Sequence, residues 1–135
     1  MEKIVFLDRD GTINEEVNYL HRTEDLKFLP GVPEALRLLK EVGFKLVVVT
    51  NQAGVARGYY TCADVEHLHA YMNEELKKYG AEIDAFYYCP HHPVHGIGIY
   101  KKVCQCRKPG TGMFLQAEER FRIDKAHSYM IGDKL

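Results

Sequence analysis

The 135-residue sequence has no excess charge of either sign: 18 Lys and Arg stand against 19 Asp and Glu, a net charge of −1. Proteins that hold nucleic acid through its backbone carry a basic stripe, so that class is disfavoured. Long apolar runs are missing too. Leu46–Val49 is representative, far short of the roughly 20 residues that cross a bilayer. The start, Met1–Lys3, has no basic region leading into an apolar stretch, so the expectation is a cytoplasmic monomer without membrane or nucleic-acid partners. Repeats, low-complexity tracts and linkers are likewise absent. With 46% hydrophobic and 27% charged residues, residues 1–135 read as one globular domain with a real core.

Cysteine is sparse, and three of the four cysteines (Cys89, Cys104, Cys106) flank His91 and His92. Without an export signal, metal is a better reading of that pattern than disulfides. A Cys104–Cys106 bridge would be strained by its tiny loop. Cys62 stands apart near a helix start.

What the sequence does contain is alternating strand and helix signals. Lys3–Leu7 is an apolar β-rich run, and a polar loop follows it through Pro30. Pro33 opens a helix of about three turns whose Leu36, Leu39 and Val42 share a face and which Gly43 ends. Lys45–Val49 is a second buried strand, of the kind found in parallel sheets. Thr61 and Asp64 form a capping pair for a long helix, with Val65, Leu68, Met72, Leu76 and Tyr79 on one face and Gly80 at its end. Asp84–Tyr88 is a third strand, Met113–Arg122 a helix, and Ser128–Ile131 a fourth strand. The segment 89–112, rich in Cys, His, Pro and Gly, is a loop. The expected fold is α/β: a Rossmann-like three-layer sandwich with a mainly parallel central sheet, no large cap domain and a zinc-binding loop. Asp8, Thr50 and Asp133 then open on one sheet edge, where ligands of such sheets bind. The chain stops two residues after Asp133, which reads as truncation at the carboxyl end.

The acids suit phosphoryl transfer. Residues two apart in an extended segment point the same way, so Asp8 and Asp10 can face one substrate while Arg9 points elsewhere. Asp8, first at the strand end, would attack phosphorus and form an acyl phosphate. Asp10 would protonate the leaving oxygen and then deprotonate water, a role that needs a raised pKa. A phosphate cannot approach two carboxylates without a cation, so Mg²⁺ is expected, held by Asp8, the backbone carbonyl of Asp10, and Asp133. Thr50 offers a hydroxyl, Asn51 an amide and Lys108 a positive charge to the phosphoryl oxygens. Taken singly, each has a bland reading, since a lone D-x-D is usually a solvated turn; their order along the chain is what favours catalysis. In the loop, Cys89, His91, Cys104 and Cys106 offer three thiolates and an imidazole, a closed tetrahedral set for structural Zn²⁺. His92 and His95 read as exposed loop histidines.

These residues resemble the motifs of the haloacid dehalogenase superfamily: Asp8-Arg9-Asp10-Gly11-Thr12, Thr50-Asn51, Lys108 and Gly132-Asp133, in order over the whole chain. Asp8 to Asn14, Asn51 to Gly58 and Cys106-Arg107-Lys108-Pro109 are similar to the branch holding D,D-heptose 1,7-bisphosphate and histidinol-phosphate phosphatases, which carries the same Cys-x-His and Cys-x-Cys loop. The resemblance implies a Mg²⁺-dependent phosphatase of carbohydrate metabolism acting on a small phosphorylated metabolite, foremost the heptose bisphosphate, with histidinol phosphate as the rival substrate. It also implies that Glu16, Val17, Asn18, Tyr19, Gln52, Ala53, Arg107 and Lys134 line the substrate pocket beside Asn51, with Arg107 reading a second anionic or polar group. A zinc-stabilised binding module without catalysis is the alternative of another class.

Overall fold

The computed structural model describes residues 1–108 and 110–132. Four parallel strands form its sheet: β1 (Ile4–Leu7), β2 (Lys45–Asn51), β3 (Ala85–Cys89) and β4 (Tyr129–Ile131), in the order β3-β2-β1-β4. The chain adds β2 and β3 on one side of β1 and then returns to its other side for β4. Such a reversal leaves a crevice at the carboxyl end of the strand where the order turns. That strand is β1, and the residue following it is Asp8.

Alternation along β1 and β2 builds two cores. Val5, Leu7, Leu46 and Val48 pack with Leu36 of α1 (Val32–Glu41) and with Met72 and Leu76 of α3 (Cys62–Lys77). Ile4, Phe6, Val47 and Val49 face the other way, onto Met113 and Ala117 of α4 (Gly112–Arg120). Helices on both faces make the three-layer α/β sandwich the alternation implied. Each buried aliphatic side chain of β2 stabilises the fold by about 1.5–3 kcal/mol. β4 is an edge strand, and its side chains remain exposed. Among the described residues no helix is long and apolar enough to cross a membrane.

The Thr61–Asp64 capping box is complete: the Asp64 N–H donates to Thr61 Oγ1 at 3.1 Å and the Thr61 N–H to Asp64 Oδ2 at 2.9 Å. Several boundaries differ from the sequence reading. β2 runs on through Thr50 and Asn51, which pair with Tyr88 and Cys89, because the ladder to β3 continues past the apolar run. α3 ends at Lys77, so Tyr79 falls beyond it and is exposed, as is Val42 after α1. Ser128 precedes β4 and uses its hydroxyl to accept the Ile4 N–H at 3.0 Å. Ala53–Ala56, to which the sequence reading assigned no element, makes a single helical turn, α2, and α4 stops at Arg120 instead of Arg122.

Candidate active site and metal centre

Where β1 ends, the Asp8 carboxylate accepts the Arg9 N–H at 2.8 Å and lies 3.2 Å from Lys108 Nζ. Both side chains are about one-fifth exposed. Lys108 arrives from a loop far along the sequence, and Asn51 fixes it there. The Asn51 carboxamide accepts the Lys108 N–H at 2.9 Å and donates to the Lys108 carbonyl at 3.3 Å, while Lys108 Nζ also donates to the Val49 carbonyl at 3.0 Å. The structure thus gives Asn51 a positioning contact in addition to its place on the cleft wall.

Asp10 sits in a turn closed by Gly11 N–H to the Asn14 carbonyl and by Thr12 and Ile13 N–H to the Arg9 carbonyl. Among the described residues no backbone N–H is donated to the Asp10 carbonyl, so this hard oxygen donor fits a divalent cation held together with the Asp8 carboxylate. Asp133 and Lys134, the remaining ligand and contact expected from the sequence, lie outside the described residues. The Asp10 carboxylate is gripped on both oxygens. Oδ1 accepts from Arg9 Nε at 3.1 Å and Asn14 Nδ2 at 3.0 Å, and Oδ2 from Arg9 Nη2 at 3.2 Å and Gln52 Nε2 at 3.4 Å. Arg9, expected to point away from the substrate, goes into the interior, fully buried, and turns its guanidinium back onto its neighbour.

Thr50 is also buried; its hydroxyl accepts from Gln52 Nε2 at 3.0 Å and donates to the Asn51 carbonyl at 3.4 Å. Gln52 Oε1 meanwhile accepts from Tyr60 at 2.7 Å and from Arg9 Nη2 at 3.2 Å. Burial, above all, pushes the Tyr60 phenol up to about 12, so it stays a donor and fixes which end of the Gln52 amide faces Asp10. A Cβ on Gly54, inside α2, would overlap the Tyr60 ring. Gly54→Ala is therefore expected to cost about 1–3 kcal/mol of stability and to reduce turnover by releasing Gln52. Thermal melts would show this, and a midpoint equal to that of the parent chain would mean that Tyr60 moves freely.

A cleft of about 280 Å³ opens beside Asp10 and is lined by Glu16, Val17, Asn18, Tyr19, Asn51, Gln52, Ala53 and Arg107, together with Gly54 and Tyr60. Tyr19 has φ of 57°, unusual for a residue with a side chain, a conformation that costs about 1–2 kcal/mol. Its ring meets Tyr59 edge-on at 4.7 Å, and Arg57 lies 5.9 Å above it. Sequence reading missed Arg9, Asn14, Tyr60 and His69. Only His69 left a usable signal: with Val65, Leu68 and Met72 it completes an i, i+3, i+4, i+7 stripe on α3.

At the end of β3, Cys89, His91, Cys104 and Cys106 place one donor atom each within 4.8 Å of one another. Sγ of Cys89 is 3.3 Å from that of Cys104, Cys104 is 3.3 Å from Cys106, and His91 Nδ1 is 3.4 Å from Cys106 Sγ. A tetrahedron of sulfurs around zinc has edges of about 3.8 Å, between the 3.3 Å of the short sulfur pairs and the 4.8 Å within which all four donors lie, so modest shifts would let them hold the ion. Burial raises the Cys89 thiol pKa, which makes a thiolate there costly without a cation to balance it. All four cysteines are free of disulfides. His92 instead accepts the Val94 and His95 N–H groups on Nδ1, at 3.1 and 2.9 Å. Arg107, directly after Cys106, donates to the His91 carbonyl at 3.4 Å, which ties the metal loop to the cleft wall.

A family model described as polynucleotide kinase 3 phosphatase matches residues 3–134. The D-glycero-beta-D-manno-heptose-1,7-bisphosphate 7-phosphatase of Escherichia coli K12 is 50% identical over 131 residues, 97% of this chain and 69% of that protein. The protein of the same name from Haemophilus influenzae is 47% identical over 135 residues, covering 73% of its own length. Among solved structures, a haloacid dehalogenase-like phosphatase of Mesorhizobium loti superimposes with a TM-score of 0.91 at 33% identity, covering 98% of this chain and 64% of that one. The D,D-heptose 1,7-bisphosphate phosphatase of B. bronchiseptica, complexed with magnesium and phosphate, gives 0.84 at 34% identity, over 98% of this chain and 71% of its own.

Proposed function

The chain belongs to the polynucleotide kinase 3 phosphatase family and, among haloacid dehalogenase-like enzymes, to the D,D-heptose 1,7-bisphosphate phosphatases, and from that premise we propose that it removes the 7-phosphate of D-glycero-D-manno-heptose 1,7-bisphosphate through an aspartyl-phosphate on Asp8. The observation that carries this reading is the contact between Asp8 and Lys108, 3.2 Å apart at the strand where the sheet order reverses. An Asp8 carboxylate oxygen bonds to phosphorus as the ester P–O bond breaks, and the Asp10 carboxyl gives its proton to the departing alkoxide. Asp10 then takes a proton from water, whose oxygen attacks the same phosphorus and returns Asp8 as a carboxylate with inorganic phosphate released. Lys108 balances charge on the transferring group. Magnesium, when bound, neutralises the carboxylate and phosphoryl oxygens as they approach. Asp8 and the Asp10 carbonyl would hold it with Asp133, and the magnesium and phosphate of the B. bronchiseptica enzyme support that reading.

Arg107, on the cleft wall, is suited to the second phosphate of a bisphosphate. Glu16–Tyr19, Gln52 and Ala53 form the rest of the contact surface, with Lys134 as a further contact. Zinc on Cys89, His91, Cys104 and Cys106 is structural in this reading, with all four positions filled by protein. The balanced charge favours a small metabolite over a nucleic-acid strand, whatever the range of the wider family.

The test is Mg²⁺-dependent phosphate release from three substrates: the heptose bisphosphate, histidinol phosphate and a 3′-phosphorylated oligonucleotide. We expect kcat/KM for the bisphosphate to exceed the other two by about 100-fold or more, since a substrate without the second phosphate forgoes its charged contact with the half-buried Arg107. Comparable rates on the first two would defeat the assignment, and preferential release from the oligonucleotide would replace it.

A further inference from the structure

Arg9 is a wholly buried cation whose one carboxylate partner among the described residues is Asp10. Two sides of its guanidinium are accounted for by the grip on Asp10 and by Nη2 donating to the Leu20 carbonyl at 3.0 Å and to Gln52 Oε1 at 3.2 Å. The third side, Nη1, meets Nε2 of His69 at 3.2 Å. An arginine nitrogen can only donate, so His69 Nε2 must be the acceptor and its proton must sit on Nδ1. Burial first, and Arg9 second, lower the His69 pKa to about 3, so the ring remains an acceptor across the ordinary assay range. The ring has little room to turn. Phe86 stacks on it at 4.5 Å with an 18° tilt, and Tyr88 meets it nearly edge-on at 6.0 Å. His69 is not part of the wall of the cleft beside Asp10.

We propose that His69 is a positioning residue: by accepting Arg9 Nη1 it sets the plane of the guanidinium, and that plane sets how both oxygens of Asp10 are presented to the reacting group. Planar forks transmit orientation in this way because two parallel bonds fix a carboxylate in rotation as well as in distance. Removing the acceptor leaves a buried N–H unmatched and lets the fork tilt, with Asp10 following it. Asn14 and Gln52 each hold only one Asp10 oxygen and cannot substitute for the fork.

The experiment compares His69→Phe, which keeps the stacking ring and loses the acceptor, with His69→Gln, which keeps an acceptor. Its kinetic half rests on Asp10 being the acid and base of the proposed reaction, whereas its spectroscopic half does not. In the Phe variant kcat should fall about 10- to 100-fold, the scale of a small misplacement of a catalytic group. KM should stay within about twofold, because the interaction serves the transition state more than substrate binding. The Gln variant should recover most of the lost kcat. The Arg9 Nε–H resonance, assigned by its loss in Arg9→Lys, should be protected from exchange in the parent chain and in the Gln variant, and unprotected in the Phe variant. Should the Phe chain fail to fold, His69→Met carries the same comparison. Equal kcat in the Phe and Gln variants, a change confined to KM, or an Arg9 signal indifferent to residue 69 would overturn the proposal. A parent chain inactive on every phosphate ester, yet with an Arg9 signal that needs the acceptor, would refute the reaction and support the contact.

Discussion

Asp8→Asn should lower kcat for phosphate release by about 10⁴-fold or more, the scale reported by loss of a nucleophile, in a chain that folds as before. An amide oxygen is a poor nucleophile for phosphorus and offers no acyl phosphate for water to cleave, so both halves of the reaction fail together. Folding should hardly change. The Arg9 N–H that donates to Asp8 Oδ1 at 2.8 Å finds the same acceptor in asparagine. Lys108 keeps its bond to the Val49 carbonyl and its backbone clamp on Asn51. The ion pair itself is partly open to solvent and contributes no more than about 1 kcal/mol. Single-turnover phosphate release and a thermal melt of the same preparation check both points. Turnover persisting at the parent rate would place the nucleophile elsewhere.

Cys89→Ser should have the second largest effect, on stability more than chemistry. Cys89 is buried at the end of β3, and the other three donors come from the loop that follows. Without a metal, that loop has few buried apolar contacts to hold it: Val94, Ile97, Ile99 and Val103 are all exposed. The parent chain should carry about one zinc per molecule and the variant almost none, with a loss of about 2–5 kcal/mol. Activity should drop as well, since Arg107 and Lys108 follow Cys106 directly and the Arg107 guanidinium is tied to the His91 carbonyl. After strong chelation, Mg²⁺ alone should fail to restore turnover, whereas Mg²⁺ and Zn²⁺ together should restore it. A preparation that lacks zinc and gains no stability when zinc is added would remove the structural metal from this account.

The strand and helix signals were legible because they are local. Continuous short apolar runs mark β1 and β2 as strands buried on both faces, and the Thr61–Asp64 pair marks the start of α3. The clustering of Cys89, His91, Cys104 and Cys106 could also be read directly, since thiols and imidazole around one short loop have few other uses. Element ends were less legible: β2 extends through Asn51 because β3 lies beside it, and no feature of Thr50 or Asn51 alone announces that pairing. The role of Arg9 was out of reach for a related reason. Strand alternation correctly turns it from the cleft but cannot show that it is fully buried or that its guanidinium folds back onto Asp10.

The sequence by itself determined the chemistry on offer: two acids after a buried strand, a lysine and an arginine behind a metal-binding loop, and the alternation that makes a parallel sheet. Local spacing and side-chain type suffice for that. Tertiary structure decided which groups are held and by what. Arg9 and His69 are 60 residues apart, and Asn51 and Lys108 are 57 apart. Their contacts exist because packing across the sheet brings those elements together and excludes water, which obliges each buried polar atom to find a partner. Order along the chain carries no record of that obligation.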